Sequence, residues 1–195
     1  MIDLETVNVV LASASPRRKE LLQQIGINPL IISGDYSEQS FGNSALELVE
    51  NNTKGKLMDV LSKHNLVDSL VIAADTVVVL NGEIFGKPSC EQDAFAMLEK
   101  LSGKKHKVIT GVAIYYNSEI RYDYSVTDVY MRVIKSAEIT AYIATGEPCD
   151  KSGGYGIQAR GALFVDKIDG CYSNVVGLPL PLLSKMLGEL NFKII

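Results

Sequence analysis

The chain has 195 residues, 47% of them hydrophobic and 22% charged, with a formal net charge of −4. That length and apolar content suit a globular protein of one domain or two closely joined lobes, and a mild negative charge without basic runs argues against a nucleic-acid polymer as partner. No apolar run approaches a membrane span and no basic segment precedes one near the start, so a cytoplasmic place without membrane attachment is expected.

Val7, Val9, Val10, Leu11 and Ala12 predict a strand buried on both faces. Ser13, Ala14 and Ser15 follow with hydroxyls and open backbone N–H groups, and Pro16 begins a helix with Ser15 as its N-cap. Arg17 and Arg18 stand at the positive end of that helix, where cations are unfavourable unless an anion arrives, so the segment reads as a polyphosphate site. Ordinary capping chemistry with two surface arginines accounts for the same residues. Pro29 to Ser33 predicts a second strand, which enters a polar loop from Gly34 to Asn43 carrying Asp35 and Glu38. Ser44 and Glu47 form a capping box for a helix with Leu46, Val49, Leu57, Val60 and Leu61 as its apolar face. Lys54 and Lys56 lie in its middle, residues that by type alone are solvated.

Leu70 to Leu80 is the most strand-like stretch, and its centre holds an acid, Asp75. A carboxylate inside such a run is costly unless it meets a metal, a cation or several donors, although an Asp at a strand end also caps turns. Asn81-Gly82 predicts a hairpin into Glu83 to Pro88, which displays Lys87 near Asp75 or simply in solvent. A helix is expected from Glu91 to Leu101. Long strands are expected at Lys107 to Tyr116 and Tyr122 to Val133 around a turn at Asn117-Ser118, with Tyr124, Val126, Asp128 and Tyr130 sharing one face of the second. A further helix runs from Ala137 to Thr145, capped by Ser136. Strand signals recur at Ala162 to Val165 and after Asp169-Gly170, and a closing helix spans Leu180 to Leu190. Between Asp150 and Ala162, four glycines with Tyr155 and Gln158 suggest a ring for stacking and an amide for pairing with a base edge, or else a plain turn.

Cations, paired carboxylates and a base reader together describe metal-assisted chemistry on a nucleotide, which asks a protein mainly for charge neutralisation and positioning. The chain has no Gly-x-x-x-x-Gly-Lys-Ser/Thr loop. Its two histidines, His64 and His106, lie beside lysines and read as surface residues, so no nucleophilic triad is expected. Three widely spaced cysteines, Cys90, Cys149 and Cys171, fit neither a disulfide framework nor a zinc pattern and are read as reduced.

Leu11 to Arg18, Ala74-Asp75-Thr76, Gly86-Lys87-Pro88, Leu101-Ser102-Gly103, Asp150-Lys151, Gly154 to Gln158 and Val176 to Pro179 together resemble the Maf family. These are nucleoside triphosphate pyrophosphatases once described as septum-formation inhibitors, and the resemblance covers nearly the whole chain in order. It implies an α/β fold, an elongated two-lobed mixed-sheet architecture around a central cleft, similar to that of the inosine triphosphate pyrophosphatases. It also implies a single domain over 1–195, usually in a homodimer. The implied reaction is hydrolysis of a nucleoside triphosphate to monophosphate and pyrophosphate with Mg²⁺ or Mn²⁺. By position, Ser13, Arg17, Arg18, Lys54 and Lys87 would hold phosphates, and Asp75 would activate water. Glu38 would join Asp75 as second acid and metal ligand, with Lys54 beside them in the catalytic set. Arg17, Thr76 and the Tyr155 to Gln158 run resemble the branch acting on dTTP and UTP, with Gln158 selecting the base and Thr76 in the substrate site. Two departures stand out: Asp35-Tyr36-Ser37-Glu38 has one carboxylate fewer than the family's usual loop, and Ala159 replaces a glycine. The family's older name suggests an alternative role, a regulator of cell division that binds nucleotide or protein without turnover.

Overall fold

The computed structural model describes residues 2–39, 42 and 44–193. The end of the loop expected from Gly34 to Asn43 (Ser40, Phe41 and Asn43) therefore lies outside the described residues. In chain order the elements are β1 (Ile2–Asp3), β2 (Asn8–Leu11), α1 (Pro16–Gln24), β3 (Leu30–Ile31), α2 (Ala45–Lys63), β4 (Ser69–Leu80), β5 (Glu83–Phe85), α3 (Glu91–Leu101), β6 (Lys105–Tyr116), β7 (Glu119–Met131), α4 (Ser136–Ile143), β8 (Val165–Asp169), α5 (Tyr172–Val176), α6 (Leu180–Glu189) and β9 (Phe192–Lys193).

One mixed sheet carries the molecule, in the order β3-β2-β4-β6-β7-β8 with β5 also on β4. β2 runs parallel to β3 and β4, whereas β4, β6, β7 and β8 follow one another antiparallel. A separate parallel pair, β1 with β9, ties the two ends of the chain together. The 12-residue β4 spans roughly 40 Å at the usual rise per residue. Its side facing β6 is paired from Val71 to Val79. On the opposite side β2 takes Ser69 to Ile72 and β5 takes Val78 to Leu80. Ala73 to Val77 is thereby left without a strand partner on that side among the described residues, and Asp75 and Thr76 sit inside this gap.

Because side chains alternate along a strand, β4 serves two different layers. Val71, Ala73 and Val77 meet α2 through Val49, Leu57 and Val60. Leu70, Ile72 and Ala74 face a first cluster built with α1 and α6, and Val78 and Leu80 face a second built with α3 and α4. These two clusters are the cores of the two lobes. The seam between them is polar: the Thr76 and Thr110 hydroxyls meet at 3.0 Å, Thr110 donates to the Asn174 carbonyl at 3.0 Å, and the Asn174 amide donates to Thr127 Oγ1 at 2.9 Å.

Several expectations change. The second strand shrinks to β3, whose two residues are exposed at the sheet edge. Ala162 to Val165 is mostly a 3₁₀ turn, Arg160–Phe164, with β8 beginning only at Val165. The stretch after Gly170 forms α5 instead of a strand, because the Asn174 side chain is drawn into the seam, donating to the Val108 carbonyl at 3.0 Å as well as to Thr127. Leu46 is exposed and Leu48 takes its place on the buried face of α2. Ser136 is the first residue of α4 instead of its cap, with Glu138 reaching back to the Lys135 N–H at 3.0 Å. His106 is buried, not a surface residue.

Candidate active site

A cleft of about 880 Å³ opens at the unpaired stretch of β4. Its described lining includes five cations, Arg17, Arg18, Lys56, Lys87 and Lys151, against three carboxylates, Glu38, Asp75 and Asp150. That local positive excess, in a chain with a net charge of −4, suits a small polyanion held by local charge.

The N-terminal wall grows from the β2 to α1 turn. Ser13 Oγ accepts from the Ser15 N–H at 3.3 Å and from the Arg18 guanidinium at 2.9 Å. Arg18 is buried and also donates to the Gly177 carbonyl at 2.8 Å and to Thr76 Oγ1 at 3.1 Å. It therefore clamps three chain segments together at the lobe seam, and burial pulls its pKa down against the opposing attraction of Asp75. Arg17 reaches out across the cleft to Asp150 at 2.7 Å. Asp150 also takes Lys151 at 2.6 Å; burial opposes its ionisation, yet these two cations hold its carboxyl below the ordinary value.

Asp75, on the other face of β4 from Thr76, points toward α2. There the Lys56 ammonium lies 2.5 Å from Asp75 Oδ1 and 2.7 Å from Glu38 Oε1. Lys87 stands 3.4 Å from both Glu38 oxygens. Burial works against Glu38 ionising, but Lys56 and Lys87 outweigh it and keep its carboxyl below the usual range. The loop that delivers Glu38 is fastened to α2 at three places. Asp35 N–H donates to Asp59 at 2.8 Å, and the Tyr36 ring lies where any Cβ on Gly55 would collide with it. The Asn52 amide accepts from Gln39 N–H at 2.8 Å and donates to its carbonyl at 3.0 Å. Asn52 also donates to Asp75 at 3.4 Å.

The structure thus gathers Ser13, Arg17, Arg18, Glu38, Asp75, Thr76, Lys87 and Gln158 around one cleft. It does not bring Lys54 there. Two residues along a helix is a rotation of about 200°, so Lys54 projects from the outer face of α2, pairs with Glu50 at 2.5 Å and lies over the Tyr122 ring. Lys56 occupies the position expected of Lys54. The signal for it was present: Val49, Asn52, Thr53, Lys56 and Val60 keep the helical spacing of the buried face, and a lysine on such a stripe needs a partner. Asp35, paired with Lys63 at 3.3 Å and with a side chain 95% exposed, takes no part in the Asp75 cluster. Tyr155 belongs to the second core, its hydroxyl 2.7 Å from His106 Nε2, so its ring is not free for stacking.

The carboxylates of Asp75 and Glu38 converge on one point, and a cation already stands at it. Two hard oxygen donors suit Mg²⁺ or Mn²⁺, which such sites share with substrate phosphates. No group of three or more metal-ligating side chains gathers among the described residues. Cations lining a cleft, with two carboxylates at its floor, are the layout of a site for metal-assisted reaction of a polyphosphate.

The model of the family described as Maf-like protein matches residues 8–190, and the chain belongs to the Maf family. The dTTP/UTP pyrophosphatase of Clostridium tetani is 44% identical over 189 residues, 95% of this chain and 98% of that one. That of Caldicellulosiruptor saccharolyticus is 46% identical over 189 residues, 94% and 95% of the two chains. Among solved structures, the Staphylococcus aureus Ham1 protein overlaps 64% of this chain and 71% of its own, with a TM-score of 0.46 and 17% identity.

Proposed function

We propose that this protein is a nucleoside triphosphate pyrophosphatase acting on dTTP, UTP and modified pyrimidine triphosphates, releasing the monophosphate and pyrophosphate and so clearing the nucleotide pool. The observation that carries the reading is the convergence of Asp75 and Glu38 on a single cation position inside a cationic cleft, in a chain whose relatives bear the name dTTP/UTP pyrophosphatase.

In this reading Arg17 and Lys87 bind the β and γ phosphates, with Ser13 and the buried Arg18 shaping the wall behind them. Asp75 accepts the proton of the water that attacks the α phosphorus; the new bond is water oxygen to α phosphorus, and the bond broken joins that phosphorus to the bridging oxygen leaving with pyrophosphate. Asp75 and Glu38 would hold a divalent cation, which supplies neutralisation of the phosphate charge. Lys56 bridges and orients both carboxylates, and with Lys87 it keeps that of Glu38 below its usual range. Gln158, exposed at the far wall, offers a donor and an acceptor to the edge of a pyrimidine.

A homodimer belongs to the same proposal. Among the described residues β8 pairs with Asp128 to Met131 of β7 and no strand pairs with the rest of that edge, beside which the exposed Ile120, Tyr124 and Val126 lie, a feature suited to a second copy; light scattering of the purified protein tests it. A cytoplasmic place is also part of it, since Cys90, Cys149 and Cys171 are free thiols suited to a reducing compartment. No helix among the described residues is long and apolar enough to cross a membrane. Nothing in the cleft favours a division regulator that works without turnover.

The deciding experiment measures pyrophosphate release from dTTP, UTP, CTP, purine triphosphates and methylated or deaminated analogues, with Mg²⁺ or Mn²⁺. Release from pyrimidine triphosphates is expected, and no release from any of them would sink the reading.

A further inference from the structure

The stretch that carries Gln158 has its ends fixed by a residue outside the cleft lining. Glu147 sits in a 3₁₀ turn after α4, and its carboxylate takes three hydrogen bonds. Oε1 accepts from the Tyr142 hydroxyl at 2.8 Å and from the Gly161 N–H at 3.1 Å, and Oε2 accepts from the Arg160 N–H at 3.1 Å. The Tyr142 hydroxyl in turn accepts from the Gly156 N–H at 3.2 Å. The two ends of the loop are drawn together: a Cβ on Gly161 would stand 2.7 Å from the Gly156 carbonyl oxygen and 2.8 Å from the Tyr142 hydroxyl. Ile157, Gln158 and Ala159 form the tip between those pinned ends, and Ile157 and Gln158 line the cleft.

We infer that Glu147, working with Tyr142, is a positioning residue for base recognition, a carboxylate clamp that closes the Gly156 to Gly161 loop and aims Gln158 into the cleft. The inference rests on the proposed role of Gln158 as reader of the base. A loop whose ends are left loose must be ordered by each substrate as it binds, and that cost falls on affinity for the base and spares the reacting phosphates. Charge-assisted bonds from a carboxylate to backbone N–H groups are the stronger kind, so one side chain suffices for three ties.

Glu147→Gln tests the clamp, since an amide NH₂ cannot accept from a backbone N–H and one side of the fork is lost. The expected result is a rise of about tenfold in KM for dTTP and UTP with kcat within about twofold. The inhibition constant of inorganic tripolyphosphate, which has no base, should stay within about twofold of wild type. Amide hydrogen exchange at Arg160 and Gly161 should quicken. Tyr142→Phe keeps the ring in the core and loses only the Gly156 tie and the bond to Glu147, so exchange should quicken at Gly156 with a smaller KM rise. Should Glu147→Gln fail to fold, this second variant carries the test.

A tripolyphosphate constant that rises in step with KM would overturn the inference, because the clamp would then be shaping the whole cleft. Unaltered KM and unaltered exchange would overturn it as well. Absence of turnover by the wild-type enzyme would defeat the reading of function instead, while exchange at Gly161 would still report whether Glu147 holds the loop.

Discussion

The two faces of α2 carry the same residue types to different ends. On the inner face Lys56, with its side chain 15% exposed, holds Asp75 and Glu38 together at the open edge of β4. On the outer face Lys54, 45% exposed, pairs with Glu50 one helical turn away in a shallow hollow that Met58, Ile120 and Tyr122 share. An exposed pair of that kind contributes between nothing and about 1 kcal/mol. A half-buried group of three charges costs desolvation that simple packing would avoid, so its retention points to use in the site. Position on the helical stripe decides which lysine matters, and residue type decides nothing.

That contrast can be broken or sharpened by substitution. The largest effect is expected for Asp75→Asn, which removes the proton acceptor and half of the paired carboxylate. Its kcat for pyrophosphate release should fall by on the order of 10² or more with the circular dichroism spectrum retained. Unchanged turnover would take Asp75 out of the mechanism. Next comes Lys56→Gln, which leaves two carboxylates facing each other without their cation. Its kcat/KM should drop by on the order of tenfold and its Tm should fall, measured by the same assay and by calorimetry.

The two histidines extend the comparison to pH. Burial lowers the pKa of His106 to about 4, from the ordinary 6.5, while His64 is exposed. Below pH 6.5 the unfolded chain takes up a proton at His106 that the folded protein refuses, so stability is fully present above pH 6.5 and declines toward pH 4. The loss should be about 1 kcal/mol at pH 5.5. His106→Gln should flatten that part of the denaturation midpoint against pH. The smallest effect is expected for Lys54→Gln, with kcat/KM within about twofold of wild type and stability within about 0.5 kcal/mol. A loss there equal to that of Lys56→Gln would erase the distinction between the two faces.

Much of the architecture was legible in the chain. β4, the Asn81-Gly82 hairpin, α3, and the pair β6 and β7 stand within a few residues of where alternation, turn residues and caps put them. Asp75 announced itself as an acid in an apolar run, a local conflict that only a site relieves. The role of Lys56 is harder to read because its two partners, Glu38 and Asp75, come to it from the loop after β3 and from β4, and nothing next to it in the chain indicates them. Tyr155 and His106 were misplaced for the same reason: polar neighbours in sequence say little about a strand end that α3 and α4 cover. Tyr172 to Val176 looked like strand until Asn174 found its partners across the sheet.

The sequence alone determined what depends on near neighbours: the period of each strand and helix, the turns, the cations at the start of α1, and the misfit of Asp75. Tertiary structure decided what depends on register between distant segments. Because the pairing of β2 with β4 ends at Ile72 and that of β5 begins at Val78, five residues of β4 have no strand partner on that side among the described residues, and there adjacent side chains part company, Asp75 to the charged pair under α2 and Thr76 to the clamp of Arg18. No local pattern encodes where two other strands will end, and that gap is where the cleft lies.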